Sequence, residues 1–226
     1  MPAVTKDDHY FKVLRHEMVD KQLVARGIRD ERLLNAMLAV PRHLFVEPAL
    51  ADVAYEDRPL PIGLGQTISQ PFMVARATEL AEVGAGSRAL EVGTGCGYQA
   101  AVLALLCGQV FGVELLPDLA GRAVANLRGV GITNAVVDSF DGSAGWAAHA
   151  PFDVIIVSAG APRIPSMLID QLCDGGRLVI PVGQGEQQQI AEVRREGNSY
   201  SLTPDTKCRY VDLLGRYGFG GSPPAA

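Results

Sequence analysis

The sequence lacks the features that define several classes of protein. None of its apolar runs approaches the ~20 residues that a helix needs to span a bilayer, and the first nine residues hold two acidic residues and no apolar core. We therefore expect neither a membrane partner nor a secretory signal. Four cysteines scattered over 226 residues form no C-x-x-C pair and no disulfide framework. We accordingly expect reduced thiols, a cytoplasmic location and no metal site.

The sequence also has no excess of positive charge. It carries 20 Lys and Arg against 25 Asp and Glu, a formal net charge of -5. Broad binding to nucleic acid depends on clustered basic residues, so we expect no nucleic-acid partner, although this balance does not exclude a local basic groove. Apolar residues make up 48% of the chain without internal repeats, which is typical of a globular protein with one substantial core.

From Arg88 onward, short apolar runs alternate with helical patterns. Buried strands that alternate with helices are typical of a doubly wound, mainly parallel sheet, so the predicted fold class is α/β and Rossmann-like. The period changes after Gly183, where two short apolar segments flank Gly197-Asn198 and predict an antiparallel hairpin. The predicted strands cover residues 89–92, 110–114, 135–138, 153–157 and 177–182, and the predicted hairpin covers 190–195 and 200–202.

Residues 10–40 before the sheet read as two helices. Gly27 closes the first helix and Asp30 caps the second. A connection rich in proline and glycine follows at residues 59–71, and Pro71 opens another amphipathic helix.

These patterns divide the chain into three parts. Residues 1–72 are expected to form helices and a loop that pack on the core, and residues 73–219 the core itself with its last strands. We expect a flexible tail at residues 220–226.

The most informative segment is Glu91-Val92-Gly93-Thr94-Gly95-Cys96-Gly97. An apolar run ends in an acid, glycines recur at every second position, and an apolar helical pattern begins. A strand that enters a glycine turn at the start of a helix lets a ligand contact backbone N–H groups. The spacing differs from the G-x-G-x-x-G pattern of dinucleotide-binding proteins. Taken alone, the turn also leaves open a tight turn without any ligand.

A second acid supports the ligand-binding interpretation. Glu114 ends the next predicted strand, about where an α/β nucleotide site places the acid that accepts hydrogen bonds from ribose hydroxyls. An anion at this position favours an adenosine without a 2′-phosphate. Ligands of such sheets lie at the carboxyl ends of the strands, which adds residues 138–142 and 158–162 as candidates.

The strand, glycine turn, helix, strand and acid together resemble motif I of the class I S-adenosyl-L-methionine (AdoMet)-dependent methyltransferases. Enzymes of this group that methylate base amino groups commonly carry an Asn/Asp-Pro-Pro-aromatic run after the fourth strand. Here that position reads Ser158-Ala159-Gly160-Ala161-Pro162, without the acceptor side chain or the aromatic ring. Base methylation is therefore disfavoured. Small-molecule methylation, protein carboxyl methylation and a binding protein without catalysis stay open.

The connection Leu60 to Phe72 carries the polar side chains that a plain linker does not need. Ser69 and Gln70 fall at the N-terminus of the predicted helix, where free N–H groups and the helix dipole favour an anion such as a carboxylate. Ser69 can cap that helix, contact a substrate, or do both, and spacing does not decide between these roles.

The loop Gly65-Gln66-Thr67-Ile68-Ser69-Gln70-Pro71, together with residues 91–99, resembles the protein-L-isoaspartate (D-aspartate) O-methyltransferase family. The resemblance extends from about Met18 to Arg195, and the loop is far more specific than the glycine turn. It implies transfer of a methyl group from AdoMet to the α-carboxylate of L-isoaspartyl residues in damaged proteins and peptides. The ester then closes to a succinimide, whose hydrolysis returns some aspartate. We expect a monomer.

The resemblance also implies roles for individual residues. Ser69 matches the active-site serine and would hold the carboxylate by a hydrogen bond, without a covalent intermediate. A carboxylate with a pKa near ~4 is already ionised at neutral pH, so no general base is needed. The expected cofactor-binding residues are Thr67, Ile68, Ser69, Glu91, Gly93, Thr94, Gly95, Gly97, Glu114, Leu115, Asp141 and Gly142. The expected substrate-binding residues are Leu64, Gln66, Ser69, Tyr210 and Val211.

Two segments depart from the family pattern. The family's Gly-Asp-Gly is here Phe140-Asp141-Gly142, which adds bulk near the expected adenine pocket. The family's Val-x-Phe-Val-Pro-Leu, a stretch that helps to hold the substrate backbone, is here Cys208-Arg209-Tyr210-Val211-Asp212-Leu213. The alternative functions are therefore a tailoring enzyme that esterifies an aspartate in one dedicated peptide, or a small-molecule O-methyltransferase.

Overall fold

The computed structural model describes residues 8–220, which contain six α-helices and nine strands. The strands are β1 Leu60–Gly63, β2 Gln66–Ile68, β3 Arg88–Val92, β4 Gln109–Glu114, β5 Ala135–Ser139, β6 Phe152–Val157, β7 Leu172–Val182, β8 Gln188–Glu196 and β9 Ser199–Cys208. The helices are α1 Asp8–Met18, α2 Glu31–Ala39, α3 Pro71–Leu80, α4 Tyr98–Ala104, α5 Pro117–Gly129 and α6 Ser166–Asp170.

Seven strands form one sheet in the order β5-β4-β3-β6-β7-β8-β9. Strands β3 to β7 pair in parallel, whereas β8 and β9 pair antiparallel. The predicted doubly wound sheet with a C-terminal hairpin is therefore confirmed. The strand order reverses at β3, because the chain runs outward from it first through β4 and β5 and then through β6 and β7. Ligands of open α/β sheets bind beside such a reversal.

The N-terminal helices follow the predicted boundaries. α1 continues through a π-helical segment, Val19–Leu23, and a 3-10 segment, Val24–Arg26, and ends at Gly27 with a φ of +98°. The Asp30 carboxylate caps α2 by accepting hydrogen bonds from two backbone N–H groups, at 2.8 and 3.2 Å. None of the helices within residues 8–220 combines the length and the hydropathy that a membrane span requires.

The proline- and glycine-rich connection was expected to be a loop, and that expectation was wrong for residues 60–68. They form the antiparallel pair β1–β2, in which Leu60 pairs with Ile68. The pairing arises because Leu60, Ile62 and Ile68 are buried, while a turn with positive φ at residues 63–65 reverses the chain. Side chains in β1 alternate between the core and solvent, as in a strand. The high content of proline and glycine made this alternation hard to recognise in the sequence.

Two further strands are longer than predicted. β7 begins at Leu172 rather than 177, and β9 extends to Cys208 rather than 202. Most of β9 is exposed at the edge of the sheet, so it shows little apolar alternation. The predicted boundary at 72/73 falls inside α3, and the predicted tail lies, apart from Gly220, outside the described residues.

Two hydrophobic clusters cover the two faces of the sheet. One joins the N-terminal helices to α3 and α4, and includes Met37, Phe72 and Tyr98. The other, on the opposite face, includes Phe111 and Ile155. Residues before α3 therefore pack on the same core as the sheet.

A charged contact ties the C-terminal hairpin to α3. Arg76 donates two hydrogen bonds to the carboxylate of Asp205 on β9, at 2.9 and 2.5 Å. The Arg76 guanidinium lowers the pKa of Asp205 to about 2, although partial burial acts in the opposite direction.

We predict that Asp205→Asn lowers the free energy of unfolding by about 1–2 kcal/mol at pH 7, because a charge-assisted contact is lost. The folded-state pKa is depressed, so this contribution is present above the unfolded pKa and declines as the pH falls toward 2. Urea unfolding at pH 7 and pH 3 measures the difference. Glu17→Gln, which breaks the exposed pair with Lys21, is the control and should have little effect. An equal loss at both pH values would contradict this account.

Candidate functional site

Three adjoining cavities lie at the carboxyl ends of the parallel strands. The strand-end cavity, of about 230 Å³, is lined by residues that end or follow β3, β4 and β6, among them Gly93, Glu114 and Ala159. The outer cavity, also about 230 Å³, lies between the loop before α3 and the segment 206–211. The inner cavity, about 30 Å³, lies against the glycine turn and contains Glu91 in its wall.

Two residues line all three cavities. Thr67 lies in β2 and Ser158 follows β6, and both line the strand-end, outer and inner cavities. Ser69 lines the outer and inner cavities only. A group bound in the inner cavity and a group bound in the outer cavity would therefore meet beside Thr67, Ser69 and Ser158.

The glycine turn adopts the backbone that its composition predicts. Gly93, Gly95 and Gly97 have φ values of +84°, +57° and +91°, which side-chain-bearing residues rarely adopt. Gly93 and Gly95 line the cavities. Gly97 is instead the N-cap residue of α4, where a Cβ would come within 3.3 Å of the backbone of Ala123. Its contribution is close packing of α4 against α5.

Glu114 lies at the end of β4 with most of its surface buried. One carboxylate oxygen accepts a hydrogen bond from Gly95 N–H at 2.8 Å, and the other accepts from Leu116 N–H at 3.0 Å. A carboxylate has about four acceptor positions, so two are still available toward the strand-end cavity. These suit the hydroxyls of a ribose.

Glu91 is 1% exposed and stands where β3 enters the turn. The Ser158 hydroxyl donates to its Oε1 at 2.9 Å, whereas its Oε2 is buried without a hydrogen-bond partner. Burial raises the pKa of Glu91 well above its ordinary value, the Ser158 hydrogen bond opposes this, and nearby Glu114 adds to it. An unpartnered carboxylate oxygen beside a cavity suits a cationic donor such as an ammonium group.

Ser69 does not cap α3. The N-cap residue is Gln70, and no side chain forms a cap hydrogen bond there. The carbonyl of Ser69 accepts from the guanidinium of Arg42 at 2.8 Å, and Arg42 also donates to the carbonyl of Ala54 at 2.7 Å. Arg42 is fully buried and its guanidinium lies 4.8 Å over the Tyr98 ring. Arg42 therefore fixes the backbone of the loop that carries Ser69, while Ser69 itself lines the inner and outer cavities.

The structure brings most of the predicted site residues to these cavities. Leu64, Gln66, Leu115, Gly142 and Val211 line the strand-end cavity, and Ile68 and Thr94 line the inner one. Tyr210 lines the outer cavity. Their roles toward a ligand stay predictions.

Asp141 is placed differently. Its carboxylate accepts from the N–H and hydroxyl of Ser143, at 2.9 and 2.6 Å, and from Arg216 N–H at 2.8 Å. Burial acts against ionisation, but these hydrogen bonds together lower the pKa of Asp141. The carboxylate thereby holds a C-terminal turn, residues 214–219, whose first residue, Leu214, lines the strand-end cavity. Asp141 itself is not among the lining residues.

Four residues shape the site although the sequence predicts no role for them. Ser158 is a candidate only by its position after a strand, and Arg42 only falls within the broad resemblance from Met18 to Arg195. Gln188 holds the backbone of Tyr210 by two hydrogen bonds, and Leu214 lines the strand-end cavity, but no local pattern marks either residue. Within residues 8–220, no group of three or more His, Cys, Asp and Glu side chains is placed to hold a metal ion.

We predict that Glu91→Gln raises the free energy of unfolding by about 1–3 kcal/mol at pH 8, because burial penalises the ionisation of Glu91 and a glutamine does not ionise. The folded-state pKa of Glu91 is raised, so wild-type stability is greatest below the ordinary pKa of 4.5 and declines as the pH rises. The gain should therefore shrink at pH 5. Thermal unfolding at both pH values measures it, with the exposed Glu47→Gln as control. Destabilisation at pH 8 would refute the prediction.

Relatives of known family match this chain along most of its length. A family model of the protein-L-isoaspartate (D-aspartate) O-methyltransferases (PCMT) matches residues 14–218. The protein-L-isoaspartate O-methyltransferase of Geobacter metallireducens is 50% identical over 211 residues, which cover 93% of this chain and 98% of that protein. That of Methanoculleus marisnigri is 53% identical over 208 residues, which cover 92% and 94%.

Solved structures agree with the sequence match. A protein-L-isoaspartate O-methyltransferase aligns with a TM-score of 0.82 at 28% identity, over 90% of this chain and 67% of that chain. The beta-aspartate methyltransferase (PCMT) from Plasmodium falciparum, in complex with S-adenosyl-L-homocysteine, aligns with a TM-score of 0.78 at 26% identity, over 88% and 98%. With its glycine turn, its polar loop and its sheet order, the chain belongs to the protein-L-isoaspartate (D-aspartate) O-methyltransferase family.

Proposed function

We propose that this protein transfers a methyl group from AdoMet to the α-carboxylate of L-isoaspartyl residues in damaged proteins and peptides. One observation carries the proposal: Ser69 lines both the inner and the outer cavity, and Thr67 and Ser158 line all three cavities of the site. A cofactor in the strand-end and inner cavities would therefore present its reactive end to an acceptor beside Ser69. We also propose that the protein acts in the cytoplasm, as a monomer.

The residues present fit AdoMet. Its ammonium group matches the unpartnered Oε2 of Glu91, and its ribose hydroxyls match the remaining acceptor positions of Glu114. Apolar side chains of Leu115 and Leu214, with Gly142, offer a surface for the adenine. When bound, AdoMet supplies an electrophilic methyl group on a sulfonium. The two carboxylates of the site favour that positive charge.

The outer cavity fits an anionic acceptor. Arg26, Lys207 and Arg209 line it, although the protein as a whole is acidic. Arg26 pairs with Asp57 and Arg209 with Glu186, so Lys207 is the lining residue with the least balanced charge. The buried guanidinium of Arg42 lies below the Ser69 loop and adds positive potential there. Ser69 would donate a hydrogen bond to the carboxylate, which is already ionised and needs no base. Holding two reactants in line can supply roughly 7–11 kcal/mol of the barrier, so placement is the chief contribution of the protein.

The proposed activity is tested with a synthetic hexapeptide that contains one L-isoaspartate, and with its aspartyl twin as the matched control. Purified protein and methyl-labelled AdoMet are incubated with each peptide, and base-labile methyl ester is counted. We expect labelling of the isoaspartyl peptide alone. Confirmed AdoMet binding without ester on either peptide would overturn the proposed acceptor and favour a tailoring or small-molecule enzyme.

We predict that Ser69→Ala lowers kcat/KM for the isoaspartyl peptide about 10–100-fold, since a hydrogen bond to a charged group is lost. The dissociation constant of AdoMet should rise by a much smaller factor, because Ser69 is only one of the expected cofactor contacts and Glu91 and Glu114 are intact. Steady-state kinetics and calorimetric titration measure the two quantities. Ser166→Ala, an exposed serine on α6, serves as the control. A normal kcat/KM would remove Ser69 from the acceptor site.

We predict that Asp141→Ala weakens AdoMet binding about tenfold, because the hydrogen bonds that hold the C-terminal turn are lost. The fold should remain intact, as judged by circular dichroism. Asp170→Ala is the control, since Asp170 is exposed at the end of α6 and lines none of the three cavities of the site. Unchanged AdoMet affinity in a calorimetric titration would show that Asp141 has no part in the cofactor site.

A further inference from the structure

Residues 210–214 border both the outer and the strand-end cavities, and we call this segment the shared wall. Tyr210 and Val211 line the outer cavity, and residues 211–214 line the strand-end cavity, so Val211 contributes to both. The segment follows β9 and belongs to no helix or strand of the described chain. Because no regular hydrogen-bond ladder fixes its backbone, contacts from other segments must set its position.

Two residues supply those contacts. The Tyr210 N–H donates to Gln188 Oε1 at 2.6 Å, and Gln188 Nε2 donates to the Tyr210 carbonyl at 3.2 Å. The Gly160 N–H donates to the carbonyl of Val211 at 2.8 Å, and the Leu213 N–H donates to the carbonyl of Gly160 at 2.7 Å. The shared wall is thus held at three of its residues by groups that are distant in sequence.

The side chain of Gln188 has room only because residue 160 is a glycine. Gln188 begins β8 and is 1% exposed. Its backbone pairs with Cys208 in the β8–β9 ladder, and its side chain continues the pairing to Tyr210. A Cβ on Gly160 would lie 2.7 Å from Gln188 Cδ and closer still to Nε2. Gly160 therefore binds the shared wall through its own backbone and also leaves space for the amide that binds it.

We propose that Gln188 is a positioning residue, whose amide holds the shared wall in the place where an isoaspartyl peptide contacts it. Gln188 itself lines none of the three cavities. An apolar side chain of similar length would fill the same space, but it would leave the N–H and the carbonyl of Tyr210 without these partners. The shared wall would then shift. This inference rests on the proposed function, and it concerns how the same site binds its acceptor.

The proposal predicts effects on binding more than on the chemical step. Thr67, Ser69 and Ser158, which line the place where the reactants would meet, belong to other segments. A displaced wall removes contacts from the bound peptide in the ground state and in the transition state alike, which raises the KM and leaves kcat almost unchanged. A purely structural role would instead lower the Tm and the fraction of active protein, with a normal KM for the molecules that stay folded.

The test compares wild type, Gln188→Ala, Gly160→Ala and the double variant on the isoaspartyl hexapeptide, with kcat normalised to the sites that bind AdoMet in a calorimetric titration. We expect Gln188→Ala to raise the KM about tenfold, the equivalent of two hydrogen bonds, with kcat within about threefold. Gly160→Ala should raise the KM similarly, because its Cβ displaces the same amide, and Gly160 has no positive φ that alanine would strain. In the Gln188→Ala background, Gly160→Ala should change the KM less than about twofold, since the amide that it would meet is gone.

Gln189→Ala is the matched control. Gln189 is the next residue of β8, and its side chain also donates to a backbone carbonyl, that of Asp205, at 2.8 Å. It lines none of the three cavities, so its KM should stay within about twofold of the wild-type value. If Gln188→Ala does not fold, Gln188→Met fills the space without the amide and takes its place in the KM comparison.

A normal KM in a folded Gln188 variant would overturn the inference while the proposed function stands. So would an equal rise of the KM in Gln189→Ala, or a further rise caused by Gly160→Ala in the Gln188→Ala background. If the wild type esterifies no isoaspartyl peptide, the proposed function fails and this inference fails with it.

Discussion

Glu91 ends β3 as a buried carboxylate, with one oxygen bound to Ser158 and the other without a partner. Burial and the neighbouring Glu114 both raise its pKa, so the free protein holds an unfavourable group at the centre of its site. A bound cation would relieve that cost, and ligands that bind only the folded state stabilise it. The group that weakens the free protein would therefore strengthen the complex with AdoMet.

The position of Glu91 in β3 also determines where Ser158 and the glycine turn lie relative to each other. In the parallel pair β3–β6, Val92 lies opposite Val157, so Ser158 follows at the level of Gly93. Ser158 N–H donates to the carbonyl of Val92 at 2.8 Å. A slip of one residue would turn the Glu91 side chain to the other face of the sheet and separate it from Ser158. Strand register thus supplies the placement on which a reaction without a general base depends.

The sequence predicted those parts of the fold that local patterns determine. Strands β3 to β6 came within two residues of their observed bounds, and Asp30 caps α2 as expected. The β1–β2 pair escaped prediction because its apolar side chains are spaced between prolines and glycines. In the site, the glycine turn and the position of Glu114 at a strand end could be predicted, because each depends on one short segment of the sequence. Gln188 was not, since its partner Tyr210 is 22 residues away in sequence and nothing local records the pairing.

The two departures from the family pattern look alike in sequence, but they differ in physical consequence. Phe140 packs edge-to-face on Trp146, with ring centroids 5.2 Å apart, inside a hydrophobic cluster. An added apolar ring in such surroundings bears on stability. In the second segment the proline is lost and two charged residues are added, of which Arg209 lines the outer cavity and Asp212 the strand-end cavity. Charged side chains there change which groups a bound molecule can contact. The departure therefore bears on binding in one segment and on packing in the other.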